Sequence, residues 1–205
     1  MNKKSNQSKL IFVDFNGVIS YNLFWFSFRK NQPELFDQIQ AFLFEKNKTM
    51  VSDWMVGKYT TEEIIDFTAK HTNIDKDLLL SSFVEDCKNL DISEKILNKL
   101  ISLKDKYKLI LRTDNMDCFT RFTVPNNKIL SETFDEIYNS YELKSTKDEQ
   151  TGFHFIDIAK QYGVPISDCI IIDDSKTTCT FFETLGGKAY CLSGEEVIVE
   201  ALSKF

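Results

Sequence analysis

The chain has 205 residues, of which 42% are hydrophobic and 27% charged, proportions that are typical of folded globular proteins. Its net charge is −6, and Lys and Arg are scattered among acidic residues, which argues against a nucleic-acid partner. The apolar runs are too short to span a bilayer, and no small-residue cleavage site follows the first of them. We therefore expect a cytoplasmic protein without a membrane partner.

The cysteine pattern gives no sign of a zinc site. The five cysteines show no C-x-x-C spacing, and the two histidines, His71 and His154, do not cluster with them. An odd number of cysteines in a chain of this size favours a reducing compartment.

The first predicted element is a strand over residues 10–13, a continuous apolar run that ends at Asp14 and is followed by Asn16 and Gly17. Residues 20–90 differ from this predicted strand, because they show helical periodicity and no clear strand. The predicted helices of this region cover residues 35–44, 51–55, 62–71 and 75–87.

Helices and strands alternate from residue 93 onward. Helices are predicted over residues 93–107, 153–162, 177–185 and 195–202, with strands over 109–111, 137–138, 169–172 and 189–192. This alternation predicts the α/β class, with a Rossmann-like parallel sheet between layers of helices. The sequence thus divides into a core domain, residues 1–19 and 91–205, and an inserted all-helical domain, residues 20–90.

Polar residues follow the strands of the predicted sheet. They are Asp14 with Asn16, Thr113 with Asp114, and Asp173 with Asp174, while Lys147 follows the weakest strand. Ligands of parallel sheets bind outside the carboxyl ends of the strands, so these side chains should converge. Carboxylates at close range repel unless a cation holds them, and an all-oxygen set suits Mg²⁺. Each Asp taken alone is more simply a turn residue or a helix N-cap.

The motifs resemble those of the haloacid dehalogenase (HAD) superfamily. The segment that begins at Asp14, DFNGVI, is similar to its D-x-D-G-[TV]-[IL] signature, and Thr113 matches the second motif. SYELKSTK, which ends at Lys147, is similar to the third, and IIDDS, with Asp173 and Asp174, is similar to the fourth. The helical insertion lies where subfamily I phosphatases carry a C1-type cap domain. The resemblance covers nearly the whole chain.

The resemblance implies a hydrolase of the phosphatase type that acts on a small phosphorylated substrate. Asp14 would be the nucleophile and form a phospho-aspartyl intermediate. Mg²⁺ would be held by Asp14, the main-chain carbonyl of Asn16, Asp173 and Asp174. Thr113 and Lys147 would bind the phosphoryl oxygens, with Lys144 as the less favoured alternative to Lys147.

Asn16 departs from the family pattern, because phosphatases of this superfamily usually have Asp at that position. There the carboxyl group protonates the leaving oxygen and later activates water, and an amide can do neither. We therefore expect impaired turnover that survives on substrates with good leaving groups, such as aryl or acyl phosphates.

Two alternatives follow from Asn16. Metal-independent dehalogenases of the superfamily also use an aspartyl nucleophile and lack the second Asp, although the pair Asp173 and Asp174 favours phosphoryl transfer. A degenerate relative would bind a phosphorylated ligand without turning it over. The aromatic segment at residues 21–29 suggests packing between the two domains, or else a pocket for an apolar substrate group.

Overall fold

The computed structural model describes residues 9–149 and 155–205. Its strands are β1 (Lys9–Val13), β2 (Tyr107–Thr113), β3 (Glu136–Asn139), β4 (Cys169–Asp173) and β5 (Lys188–Cys191). They form one parallel sheet in the order β3-β2-β1-β4-β5. The predicted α/β class with a parallel sheet is therefore confirmed.

A run of helices follows β1. It consists of α1 (Phe26–Asn31), α2 (Pro33–Ile39), a π-helical segment (Gln40–Lys46), α3 (Lys48–Met55), α4 (Thr61–Thr72) and α5 (Lys76–Lys88). We call residues 26–88 the helical block. Thr60 begins α4 with a capping box, in which its side chain accepts from the Glu63 N–H and the Glu63 side chain accepts from the Thr60 N–H. The division into domains at residues 20 and 90 stays a prediction.

The remaining helices follow the helical block along the chain. They are α6 (Glu94–Ile101), α7 (Val124–Asn126), α8 (Lys128–Thr133), α9 (Ser140–Leu143), α10 (Phe155–Gln161), α11 (Lys176–Thr184) and α12 (Glu195–Leu202), with a π-helical segment at Phe119–Thr123 and a 3₁₀ turn at Ile166–Asp168. Among the described residues, no helix is long and apolar enough to cross a membrane.

The sheet is buried on both faces because its side chains alternate. Ile11 and Val13 belong to a cluster that includes residues of α6, α8 and α12. Leu10 and Phe12 point the other way, into a cluster with residues of α10 and α11. The helical block has its own apolar cluster, which also takes in Met116 and Cys118 from the segment after β2.

Some predicted boundaries were wrong. The helix predicted to reach residue 107 ends at Ile101, because β2 already begins at Tyr107, where it pairs with Lys9 of β1. The helix predicted over residues 35–44 continues from α2 into the π-helical segment, and α1 was not predicted. The predicted start of α10 at residue 153 lies outside the described residues.

Candidate active site

Strand register brings Asp14 and Asp173 together. Val13 of β1 pairs with Ile172 of β4, so the residues that follow them lie side by side at the carboxyl edge of the sheet. The Asp14 N–H donates to the Ile172 carbonyl at 3.0 Å, which extends this pairing past the end of β1. The order β3-β2-β1-β4-β5 makes β1 the strand from which the chain proceeds to both sides, the point where such sheets bind ligands.

Asp174 completes an acidic cluster. Asp14, Asp173 and Asp174 each offer a carboxylate oxygen, and these oxygens lie within 4.8 Å of one another. Gly17 makes room for Asp174, because a Cβ atom at Gly17 would collide with the Asp174 carboxylate. Gly17 also has φ +77°, a left-handed conformation that side chains disfavour.

Lys147 lies against this cluster. Its ammonium group is 2.8 Å from Asp14 Oδ2 and 2.6 Å from Asp173 Oδ2, and the lysine is only 5% exposed. The other oxygen of each carboxylate accepts a main-chain N–H, from Phe15 to Asp14 Oδ1 at 2.7 Å and from Ser175 to Asp173 Oδ1 at 2.8 Å. Both carboxylates are thus fixed in orientation.

The cluster retains excess negative charge. Its three carboxylates and the single ammonium of Lys147 leave two negative charges when all are ionised. Burial, together with the charge of Asp14, raises the pKa of Asp173 to about 6, and the same two causes raise the pKa of Asp174. Burial lowers the pKa of Lys147, but the surrounding carboxylates outweigh it and hold that pKa above its ordinary value. A divalent cation would balance this charge.

Thr113 ends β2 with its hydroxyl buried. The residue is fully buried, and its Oγ1 has no hydrogen-bond partner among the described residues. A buried hydroxyl without a partner is costly, so this atom keeps an unused capacity to donate a hydrogen bond. Thr113 does not itself line the adjoining cavity, which has a volume of about 580 Å³.

The fold is shared with known proteins, although no family model and no curated protein matches the sequence. A "predicted HAD-like family hydrolase" from Porphyromonas gingivalis matches with TM-score 0.71 and 18% identity over 97% of each chain. A HAD family enzyme from Bacteroides thetaiotaomicron, in complex with magnesium and inorganic phosphate, matches with TM-score 0.67 and 20% identity over 92% of this chain and 96% of that one. The chain has the HAD-like fold.

A weaker likeness links this HAD-like fold to dehalogenases. The L-2-haloacid dehalogenase from Xanthobacter autotrophicus, with chloropropionic acid covalently bound, matches with TM-score 0.62 and 12% identity. The match covers 89% of this chain and 76% of that one.

The two candidate lysines lie in different places. Lys144 is exposed, with its Nζ 4.4 Å from the centroid of the Tyr141 ring and 3.5 Å from the Gly57 carbonyl oxygen. It does not contact the acidic cluster, whereas Lys147 contacts two of its members. Geometry therefore favours Lys147 over Lys144 as the lysine of this site.

Asn16 lies near Asp14 on an exposed turn. The residue is exposed and lines the same cavity as Asp14 and Asp174. The turn is closed by the Gly17 N–H, which donates to the Ser20 carbonyl at 2.8 Å. An amide in this place can donate or accept hydrogen bonds, but it does not titrate in the useful range.

Arg112 lies behind the candidate site and was not among the residues predicted from the sequence. It is 2% exposed, and its guanidinium donates to the Thr113 carbonyl at 2.8 Å, Asp114 Oδ1 at 3.0 Å and the Ser145 carbonyl at 3.0 Å. Asp114 in turn accepts the Lys147 N–H. Arg112 thus joins the end of β2 to the loop that carries Lys147. The only signal was an arginine within the apolar run of β2.

The side chains present fit a magnesium ion. The cluster of Asp14, Asp173 and Asp174 offers oxygen ligands, the ligand type that Mg²⁺ prefers, and carries uncompensated negative charge. Nitrogen or sulfur ligands do not belong to this cluster of described residues. The metal and catalytic roles of the individual residues stay predictions.

Proposed function

We propose that this protein is a magnesium-dependent phosphatase that transfers the phosphoryl group of a small phosphate ester to Asp14 and then to water. The observation that carries the proposal is the convergence of Asp14, Asp173 and Asp174 within 4.8 Å, with Lys147 bound to two of them. The similar Bacteroides enzyme in complex with magnesium and inorganic phosphate supports it.

The residues of the candidate site have different roles in this proposal. Asp14, the main-chain carbonyl of Asn16, Asp173 and Asp174 would hold Mg²⁺, which when bound would offset the negative charge of the phosphoryl group. The ammonium of Lys147 would attract the phosphoryl oxygens, and the free hydroxyl of Thr113 would donate a hydrogen bond to one of them.

Asp14 would act as the nucleophile through a carboxylate oxygen. A new O–P bond forms while the P–O bond to the leaving group breaks, and the leaving oxygen takes the electron pair of that bond. Because the amide of Asn16 cannot donate a proton at neutral pH, the leaving oxygen departs as an anion and takes its proton from water. Water then attacks the phosphorus of phospho-Asp14 and loses a proton to solvent. The P–O bond to Asp14 breaks, its electron pair returns to the Asp14 carboxylate, and inorganic phosphate is released.

Phosphate release from a panel of esters, with Mg²⁺ or with a chelator, tests this proposal. We expect activity that requires Mg²⁺, disappears in Asp14→Asn and is retained in the control Asp105→Asn, an exposed aspartate outside the cluster. Phosphate should remain on the protein after acid quenching of the wild type, because clearing phospho-Asp14 is slow without a general base. Full activity of Asp14→Asn would contradict the proposal.

A dehalogenase is the second candidate, favoured by Asn16 and by the likeness to the Xanthobacter enzyme. Displacement of halide needs no metal, so clustered carboxylates beside the nucleophile would only hinder it. Chloride release from a 2-chloro acid that is insensitive to a chelator would favour this candidate. Phosphate that remains on Asp14 without any release would instead indicate a binding protein.

A further inference from the structure

The cavity beside Asp14 has an apolar wall. It has a volume of about 580 Å³, within the range of cavities that bind small molecules. The wall is built from three parts of the chain, namely the helical block with the turn before it, the connection from α5 to α6, and the segment after β2. The apolar side chains concerned are Leu23, Phe24, Phe44, Leu90 and Phe119.

Aromatic packing fixes the shape of this wall. The rings of Phe24 and Phe44 stack with centroids 5.9 Å apart, and Phe24 also lies 5.2 Å from the buried ring of Phe83. Phe119 meets Phe15 edge-on at 4.8 Å, and Phe15 directly follows Asp14 in the chain. The aromatic side chains of this wall are therefore held in place by packing, and this packing continues to Phe15, the residue next to Asp14.

The cavity wall carries no positive charge in the part of the chain that the structure describes. Its charged residues are Asp14 and Asp174, and its other polar residues are neutral, such as Asn22, Gln40 and Asn115. A substrate group with a second negative charge would lose its contacts with water when it enters this cavity. It would find no cationic partner among the described residues of the wall and would lie next to carboxylates. Burial of an unpaired charge is strongly unfavourable.

Two apolar side chains at the cavity are exposed to solvent. Tyr21 is 49% exposed and Leu23 is 52% exposed, and both line the cavity. The Tyr21 hydroxyl donates to the Val18 carbonyl at 3.2 Å and accepts the Gly194 N–H at 3.1 Å, so its ring is held in place. A ligand that enters the cavity can therefore contact both side chains.

We propose that this cavity receives the leaving group of the substrate and selects an uncharged aromatic or apolar group over an anionic one. This rests on the proposed function, which assigns the phosphoryl group to Asp14. Asn16 supports the same choice, because a phenol-type oxygen leaves as a stable anion without the proton that Asn16 cannot supply. Sugar bisphosphates and phosphorylated carboxylic acids are disfavoured, because the described residues of the cavity wall include no cation.

Binding of phosphonates tests the selection apart from turnover. Benzylphosphonates have a C–P bond that cannot be hydrolysed, and calorimetry in the presence of Mg²⁺ measures their affinities. We expect the 4-carbamoyl compound to bind about tenfold more tightly than the 4-carboxy compound, which has nearly the same size and a second anion. Equal affinities, or tighter binding of the 4-carboxy compound, would overturn the proposal.

A pair of variants at Leu23 tests whether an added cation improves binding of the 4-carboxy compound. Because this side chain is half exposed, Leu23→Lys and Leu23→Gln should both fold. We expect Leu23→Lys to remove most of the discrimination against the 4-carboxy compound by adding a cation, while Leu23→Gln keeps it. A ratio unchanged in Leu23→Lys would show that the anion does not enter the cavity beside this wall, and would refute the assignment.

Failure of the proposed selection can be distinguished from failure of the proposed function. Preferential binding of the neutral phosphonate, with no hydrolysis of any phosphate ester, would keep the selection and remove the phosphatase. Hydrolysis dependent on Asp14, with no preference among the phosphonates, would keep the phosphatase and remove the selection.

Discussion

Asp114 accepts the main-chain N–H of Lys147 with both carboxylate oxygens, each at 3.0 Å. The side chain of the same lysine contacts Asp14 and Asp173, so this contact fixes the base of a residue whose tip lies in the site. Arg112 in turn binds Asp114 from the buried side. The lysine's position therefore depends on a residue that is not a member of the acidic cluster.

We predict that Asp114→Ala lowers both stability and activity. The change leaves the buried guanidinium of Arg112 without its carboxylate and frees the Lys147 loop, at a cost of about 1–3 kcal/mol in the free energy of unfolding. Urea denaturation measures this cost, and kcat on an aryl phosphate should fall as well. The control Asp105→Ala, at an exposed position, should change neither quantity. Unaltered activity in Asp114→Ala would show that the proposed function of Lys147 does not depend on its contact with Asp114.

Asn16→Asp should accelerate hydrolysis of alkyl phosphates. A carboxyl group at this position can protonate the leaving oxygen and later activate water, an effect worth about 10² to 10⁴ in rate. Aryl phosphates need less help with the leaving group and should gain less. Steady-state rates on a matched alkyl and aryl pair measure the difference, and an Asn16→Asp variant no faster than wild type on the alkyl ester would refute this role.

Magnesium should stabilise the folded protein through the acidic cluster. At a concentration one hundred times the Kd, binding adds about 2.7 kcal/mol, which corresponds to a rise in Tm of roughly 5–10 °C. Thermal unfolding with and without Mg²⁺ measures the shift. Asp173→Asn should abolish most of it, and Asp105→Asn should preserve it. The same shift in Asp173→Asn and wild type would place the ion elsewhere.

Asp86 should make stability depend on pH. Burial raises the pKa of this carboxyl from its ordinary value of 3.8, although it accepts the Ser27 N–H at 3.0 Å. As pH rises above that value, the unfolded chain ionises first, so the folded state loses relative stability until Asp86 ionises within it too. Below that value both states hold the proton, and the loss vanishes.

The variant Asp86→Asn removes this titration while retaining an acceptor for Ser27. We expect it to be more stable than wild type at pH 7.5, with a gain that shrinks toward pH 4. Denaturant unfolding at several pH values measures the trend. A gain that does not vary with pH would mean that something other than ionisation causes it.

The sequence indicated the sheet well because its strands are short apolar runs that end in polar residues. It also indicated that Asp14 and Asp173 would meet, since parallel strands place their carboxyl ends at one edge. Lys144 and Lys147 are less than one helical turn apart in the sequence. Only the folded loop shows which of the two side chains points to the acidic cluster.

Contacts that join the segment after β2 to the helical block could not be predicted from the sequence. Asp117 accepts hydrogen bonds from Trp54 Nε1 at 2.8 Å and from Thr61 Oγ1 at 2.7 Å, which joins the segment after β2 to α3 and α4. The local sequence pattern around each of these residues is that of an ordinary loop or helix and does not indicate the contact. The end of α6 was missed for the same reason, because pairing of β2 with β1 sets it.

The arrangement of the site also depends on Gly17, a residue with no functional group. One methyl group there would meet the Asp174 carboxylate and would also impose an unfavourable backbone conformation. The first turn after β1 and the end of β4 therefore cannot vary independently, although more than 150 residues separate them in the chain. A survey of variants limited to acids and bases would overlook the position on which their spacing depends.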